Sequence, residues 1–309
     1  MEKMLSKTRF KQIIKKNDWS AYFFILPAMI IVFMFILYPA VWSLISSFKE
    51  VKPLMLRNSG LFQVPGKWIG LKNYILTFKD KLFLKSVLNT LYFSVIFIPL
   101  TMLCSVTLAV LLDRKLKGIG FMRTVFFLPY VVSIISASLI FMMLFNGDKG
   151  MINGVLNLLN IDGPNWLSDS KLAMPVIAIM SSWRRIGYFM LIYLAGLQNI
   201  PGSLYEAADI DGASWFQQFR MITWPLLRRI TMVVFILLLI NCFNVFQEIF
   251  VMTGGGPGDS TTTIPFLIYN EAFKFYHIGK ASAMSYILFV VVVIISLTQN
   301  KLNSKKLDY

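Results

Sequence analysis

The chain has 309 residues, of which 57% are hydrophobic and only 15% charged, and its mean hydropathy is +0.66. That is too apolar for a soluble globular chain, and several membrane spans of about 20 apolar residues each leave no length for a separate soluble domain. The formal net charge of +15 is spread over loops on both faces, which argues against a nucleic-acid partner.

The segment 1–20 carries Lys3, Lys7, Arg9, Lys11, Lys15 and Lys16 ahead of an apolar run over about 21–48. A signal peptide would show the same basic flank, but this run is too long for one and no small-residue cleavage site follows. An uncleaved first span with a cytoplasmic N-terminus is expected. Further runs over about 86–112, 122–145, 172–197, 226–252 and 281–298 bring the expectation to six transmembrane helices in an all-α membrane protein. An even count returns the tail 299–309, with Lys301, Lys305 and Lys306, to the cytoplasm. The positive-inside rule checks this only weakly, because Lys49, Lys52, Arg57, Lys67, Lys72, Lys79, Lys81 and Lys85 all fall in or beside the first external loop.

Pro129 and Pro175 are expected near the starts of their spans, where a missing backbone donor is best tolerated. Between the third and fourth spans, Met151 to Leu159 is too short to cross a bilayer and reads as an interfacial helix. The fourth span holds Trp183-Arg184-Arg185, with Tyr188 one turn on. Two arginines at membrane depth require a carboxylate, a polar cavity or water. Beginning the span after Arg185 would leave too few residues to cross.

The segment 201–224 is the longest polar interruption in the second half. Pro201-Gly202 makes a turn, Ser203 can cap a short helix with Glu206 three residues on, and Gly212 can end it in a left-handed conformation. Ser214 and Gln217 repeat the capping-box spacing, so a second helix can start at once. Leu204, Ala208, Trp215 or Phe216, Phe219 and Ile222 give the pair an apolar face, while Glu206, Asp209 and Asp211 give the first helix an acidic one. An ordinary loop between membrane helices is the plainer reading of the same spacing.

In the fifth span Asn241, Asn244, Gln247 and Glu248 stand three and four apart beside Phe243 and Phe246, which on a continuous helix is one face. Amides beside aromatics suit a sugar, whose hydroxyls need partners and whose ring has an apolar side. The same groups could instead hold helices together, or pair Glu248 with Arg184 or Arg185. The glycine-rich stretch 253–263 has no Gly-Lys-Ser or Gly-Lys-Thr at phosphate-loop spacing, so no nucleotide site is visible. Cys104 and Cys242 lie inside spans as small apolar residues, and His277 reads as a solvated loop residue without metal-ligand company.

Glu206-Ala207-Ala208, then Asp211-Gly212-Ala213, then Phe219, Ile222 and Pro225 resemble the EAA loop of ABC importer permeases. Trp224 stands where that family usually has Leu, and Arg229 where a second Pro is common. Phe127-Leu128-Pro129, Asn165-Trp166-Leu167, Leu194 to Gln198 with Ile200-Pro201, and Thr253 to Thr263 extend the resemblance, from the second span onward, to the first permease of carbohydrate-uptake systems. The resemblance implies a subunit of a type I ABC importer in the bacterial cytoplasmic membrane. Its partners would be a second, similar permease, a cytoplasmic ATPase dimer and an extracytoplasmic sugar-binding protein, with a carbohydrate as substrate. ATP-Mg would be held by the ATPase and no cofactor or metal by this chain. It implies that Glu206, Ala207, Ala208, Asp209, Asp211, Gly212 and Ala213 dock on the ATPase, and that Asn244 lines the substrate path. Helical phase adds Asn241 and Gln247, and the fourth span offers Trp183 and Tyr188. An ion-driven carrier or channel using Arg184, Arg185 and Glu248 is the alternative, and a membrane-embedded enzyme lacks any catalytic set.

Overall fold

The computed structural model describes residues 18–52, 55, 60, 63–113 and 117–304, with side chains over 22–298 except at the omitted positions. The N-terminal basic cluster, Arg57, Lys305 and Lys306 lie outside the described residues. In chain order the elements are α1 (Asp18–Val32), α2 (Tyr38–Ser47), β1 (Lys49–Glu50), β2 (Lys67–Trp68), α3 (Lys72–Lys79), α4 (Lys81–Leu112), α5 (Ile119–Val131), α6 (Ile134–Leu144), α7 (Met151–Leu158), α8 (Ala173–Leu197), α9 (Gly202–Ile210), α10 (Trp215–Gln218), α11 (Trp224–Cys242), α12 (Gln247–Met252), α13 (Ile264–Tyr269) and α14 (Ile278–Ser304). β1 and β2 pair antiparallel, Lys49 opposite Trp68.

The centre is α8. It packs against α4 above all, and against α5, α6, α11 and α12, burying Met174, Ile177, Met180, Phe189, Met190 and Tyr193 completely or nearly so. In lipid there is little hydrophobic gain from bringing helices together, so close approach and interhelical hydrogen bonds carry the association. Thr101 donates to Ser182 at 3.0 Å and Ser105 to the Ile186 carbonyl at 3.0 Å. Gly187 lets α5 cross so tightly that a Cβ there would strike the Phe126 carbonyl. Across the molecule, α14 packs on α2, α3 and α13. The first span joins through α2, whereas α1 exposes side chains such as Phe23 and Phe24.

Two expected spans are broken. The run 122–145 is α5 and α6 meeting at 94°, and Pro129, expected near the start of a span, sits just before that bend. Pro175 does lie in the first turn of α8. The run 226–252 is interrupted between Cys242 and Gln247. Its helix also begins earlier than expected: α10 runs into α11 through a wider π turn, Phe219–Thr223, which absorbs the backbone hydrogen bond that Pro225 cannot make. The same device, Phe33–Leu37, precedes Pro39 between α1 and α2.

Six uniform spans are therefore not what the described residues form. Four helices are long and apolar enough to cross a bilayer, five if the bent pair counts as one. With 25 residues, α8 is long enough, but Arg184 and Arg185 lower its apolar character and most of its surface is enclosed by protein.

On one side, Met151–Leu158 forms the short helix α7. Asn153 ties together the loops before and after it by donating to the Gly147 and Pro164 carbonyls at 2.7 and 3.1 Å and accepting from Trp166 Nε1 at 2.6 Å. The glycine-rich stretch 253–263 is likewise fastened to α4: Asn89 donates to the Asp259 and Thr262 carbonyls, at 2.8 and 2.9 Å, and Lys85 to that of Gly258 at 2.6 Å. His277 is largely exposed as expected, but its Nδ1 lies 2.8 Å from Glu271 Oε2, so it is not simply solvated.

Candidate functional site

The segment from α9 to α10 is built by local hydrogen bonds. Gly212 has φ +73°, and its N–H donates to the Asp209 carbonyl at 3.1 Å while Ala213 N–H donates to that of Ala208 at 2.9 Å. This is the paired arrangement that ends a helix on a left-handed glycine, and it usually brings the two flanking apolar residues together. Here those are Ala208 and Ala213, both half-buried, which gives a physical reason for these two alanines of the motif but not for the exposed Ala207. The left-handed region costs an L-residue about 1–2 kcal/mol and glycine nothing.

The second helix starts as expected: Ser214 Oγ accepts from Gln217 N–H at 3.4 Å, and Ser214 N–H donates to Gln217 Oε1 at 2.7 Å. Ser203 does not cap the first helix. Pro201 occupies the cap position and no side chain completes it, because the helix already begins at Gly202, two residues earlier than the Ser203-to-Glu206 spacing assumes. Cross-bracing comes from residues that periodicity did not single out. Gln218 Nε2 donates to Asp209 Oδ1 at 2.6 Å, and the Tyr205 and Thr223 hydroxyls meet at 2.9 Å. Nothing in the spacing of Gln218 or Thr223 signals those contacts. Glu206, Ala207, Asp209 and Asp211 are exposed together, with Ile210 87% exposed beside them. An acidic, rigidly elbowed surface results.

Membrane-depth polar residues form a second cluster. Arg185 Nη1 lies 3.2 Å from Glu248 Oε1, and its Nε donates to Asn241 Oδ1 at 3.3 Å. Its guanidinium also stands 5.5 Å from the Phe97 ring centroid. Ser181 adds a hydroxyl donor to the same Glu248 oxygen at 3.4 Å. Of the two expected partners of Glu248, Arg185 is the one that pairs with it. Arg184 turns the other way, donating to the Tyr130 and Val132 carbonyls at 3.0 and 3.2 Å. Those carbonyls are orphaned by the bend after α5, so Arg184 caps that helix end and complements its dipole.

The break in the fifth span changes the expected amide face. Asn241 ends in the Arg185 cluster, also donating to the Leu237 carbonyl at 2.7 Å. Asn244 lies in the turn itself and Gln247 begins α12, so the three do not share one helical face. Asn244 and Gln247 are exposed. Phe243 is buried, and Phe246 joins Phe250, Phe266 and Tyr269 in an aromatic cluster. Tyr188 stacks on Tyr130 with ring centroids 4.7 Å apart, and Trp183 rests against Phe141 at 5.3 Å.

Among the described residues, a helical bundle with four or five elements long and apolar enough to cross a membrane, a buried ion pair and an exposed helix–elbow–helix defines an all-α membrane protein. Residues 87–307 match the family described as binding-protein-dependent transport system inner membrane component. The chain is 34% identical to a probable ABC transporter permease protein, YurN, of Bacillus subtilis, over 94% of this chain and 97% of that one. It is also 34% identical to the trehalose/maltose transport system permease protein MalF of Thermococcus litoralis, over 93% and 94%. A chain of the crystal structure of a bacterial ABC transporter involved in the import of the acidic polysaccharide alginate shares the fold, with TM-score 0.81, 23% identity and coverage of 97% and 100%. The chain belongs to the family of inner-membrane components of binding-protein-dependent transport systems.

Proposed function

We propose that this chain is the membrane-spanning subunit of an ATP-driven bacterial sugar importer, forming half of the translocation path beside a second, similar permease. The observation that carries the reading is the exposed acidic elbow from Gly202 to Gln218, in which Gly212 fixes the bend and Asp209 is braced by Gln218. Such a rigid, convex element suits a cleft in a cytoplasmic ATPase. Closure of that ATPase on ATP-Mg would push on α9 and α10, and the helix continuous with α10 carries the displacement through α11 to the break at residues 243–246.

The relatives support a carbohydrate substrate, since their names include trehalose/maltose, lactose and sn-glycerol-3-phosphate permeases. Asn244 and Gln247, exposed at the break, are the amides proposed to meet the sugar as an external binding protein releases it. Asn241, Trp183 and Tyr188 are assigned to support the path. Both termini and the elbow are placed in the cytoplasm. An ion-driven carrier is disfavoured because the buried charges it would use are already committed: Arg185 to Glu248, and Arg184 to backbone carbonyls.

The test is co-purification in mild detergent of this chain and its partner permease with a candidate sugar-importer ATPase. A Glu206→Ala/Gly212→Val variant is expected to insert normally and lose the ATPase. Beyond the chain neighbours no heavy atom lies within 4 Å of a Cβ added at Gly212, so the Cβ itself meets no clash and its cost is the backbone strain of the left-handed region. Equal retention by both forms would remove the elbow from the coupling role.

A further inference from the structure

The lysines that crowd the first external loop find a purpose in the shape of α3. Leu71, Ile75 and Phe78, spaced four and three apart, form one stripe along this helix, and they are 61%, 53% and 56% exposed. Lys72 and Lys79, seven apart, make a basic rail about a quarter turn round from the stripe. The opposite face is locked to the protein. Asn73 Nδ2 donates to the Ser47 and Lys49 carbonyls at 2.9 and 3.0 Å, and the Tyr74 and Ser47 hydroxyls meet at 2.7 Å. The stripe is therefore presented rigidly. Trp68, 61% exposed, stands just ahead of it beside Lys67.

Among the described residues none of Lys67, Lys72 and Lys79 has an ion pair: Glu50 stands opposite Lys67 in the β1–β2 pairing without a salt bridge to it, and Asp80 is taken by Lys280 at 2.6 Å. One residue after Asp80 begins α4, a helix long and apolar enough to cross a membrane, and its apolar run starts at about residue 86, so α3 lies within two turns of a bilayer boundary. An apolar stripe alone would fit many surfaces, and a basic rail alone would fit any polyanion. Together, at the mouth of a membrane span, they match the layered chemistry of an anionic lipid surface, with acyl chains against Leu71, Ile75 and Phe78 and phosphates against the lysines. An acidic soluble protein would satisfy the lysines but leave less reason for three large apolar side chains beside them.

We infer that α3 is an interfacial anchor that binds anionic phospholipid headgroups. Its placement in the outer leaflet rests on the orientation proposed above, whereas the lipid contact does not. The anchor accounts for basic residues on the side where the positive-inside rule disfavours them, and it fixes the height of α4 and, through Lys280, of α14 in the bilayer.

The test uses the full chain with Cys104→Ala and Cys242→Ala, spin-labelled at Ile75→Cys, in nanodiscs of phosphatidylcholine or of an equimolar mixture with phosphatidylglycerol. The label is expected to be relaxed by oxygen and shielded from an aqueous nickel chelate. In parallel, brominated phosphatidylglycerol should quench the Trp68 component, defined against Trp68→Phe, more than brominated phosphatidylcholine. That preference should fall about fivefold for each of Lys67→Gln, Lys72→Gln and Lys79→Gln. Relaxation by the nickel chelate would place the stripe in water, and shielding from both reagents would place it under another protein. Either result, or an unchanged lipid preference in the variant carrying all three Lys→Gln substitutions, overturns the inference. An impermeant thiol reagent applied to Lys72→Cys separately reports the side: reaction only from the cytoplasm would overturn the orientation and leave the lipid contact standing.

Discussion

Replacing Glu248 by Gln tests whether the buried ion pair organises the centre of the bundle. The side chains of Arg185 and Glu248 are 11% and 2% exposed, with 3.2 Å between charged atoms. At an effective dielectric of about 20, opposite charges at that separation attract by about 5 kcal/mol. Desolvation of both groups offsets most of this, so the intact pair adds little net stability, whereas orphaning one partner costs about 3–5 kcal/mol. Arg185 keeps Asn241, the Ser181 carbonyl and the Phe97 ring, which places Glu248→Gln near the lower end, about 3 kcal/mol. Arg185→Met should cost a similar amount by stranding the carboxylate, and the double variant Arg185→Met/Glu248→Leu should cost no more than either single, about 3 kcal/mol or less, which is a coupling of at least about 3 kcal/mol. Unfolding midpoints of the purified chain in one detergent at one scan rate provide the assay, with each single variant lowered by roughly 5 °C. A double variant as unstable as the sum of the two singles would refute the reasoning.

Three further outcomes follow from particular contacts. Asn244→Ala should alter the concentration dependence of sugar uptake in proteoliposomes while ATPase co-purification stays at the wild-type level; unchanged transport kinetics would take Asn244 out of the path. Gly187→Ala should cost about 1–3 kcal/mol or more, because the added methyl meets the backbone at Phe126 and Phe127, neither of which can move aside as a flexible side chain could; an unaltered unfolding midpoint would show that α5 and α8 do not cross so closely. Burial works to raise the Asp80 pKa, but the hydrogen bonds from Lys280 and the Leu82 amide outweigh it and hold the carboxyl below its ordinary range. Its contribution to stability is therefore complete above that range and is lost as pH falls through the depressed value. Lys280→Met should lower the midpoint at neutral pH and flatten its acid limb; an acid limb as steep as in the wild type would exclude this tie.

The elements legible from the sequence are those whose hydrogen bonds close within a few residues. Gly212 ends its helix in the left-handed region, and Ser214 and Gln217 cap the next one, because donor and acceptor lie three to five positions apart and no distant partner can change that geometry. Apolar runs likewise announce helices wherever the chain must satisfy its own backbone in lipid. Only the tertiary structure could decide where such runs break. The bend after α5 survives because Arg184, more than fifty positions away in the chain, takes up the carbonyls it frees, and the turn before α12 is held where Thr263 donates to the Val245 carbonyl at 2.9 Å. Once those partners interrupt the helix, the spacing of Asn241, Asn244 and Gln247 no longer defines a face, and Asn241 goes to an arginine. Periodicity carries side-chain direction only as far as the helix is continuous, and in a membrane bundle that continuity is settled by whichever neighbour can satisfy the backbone the break exposes.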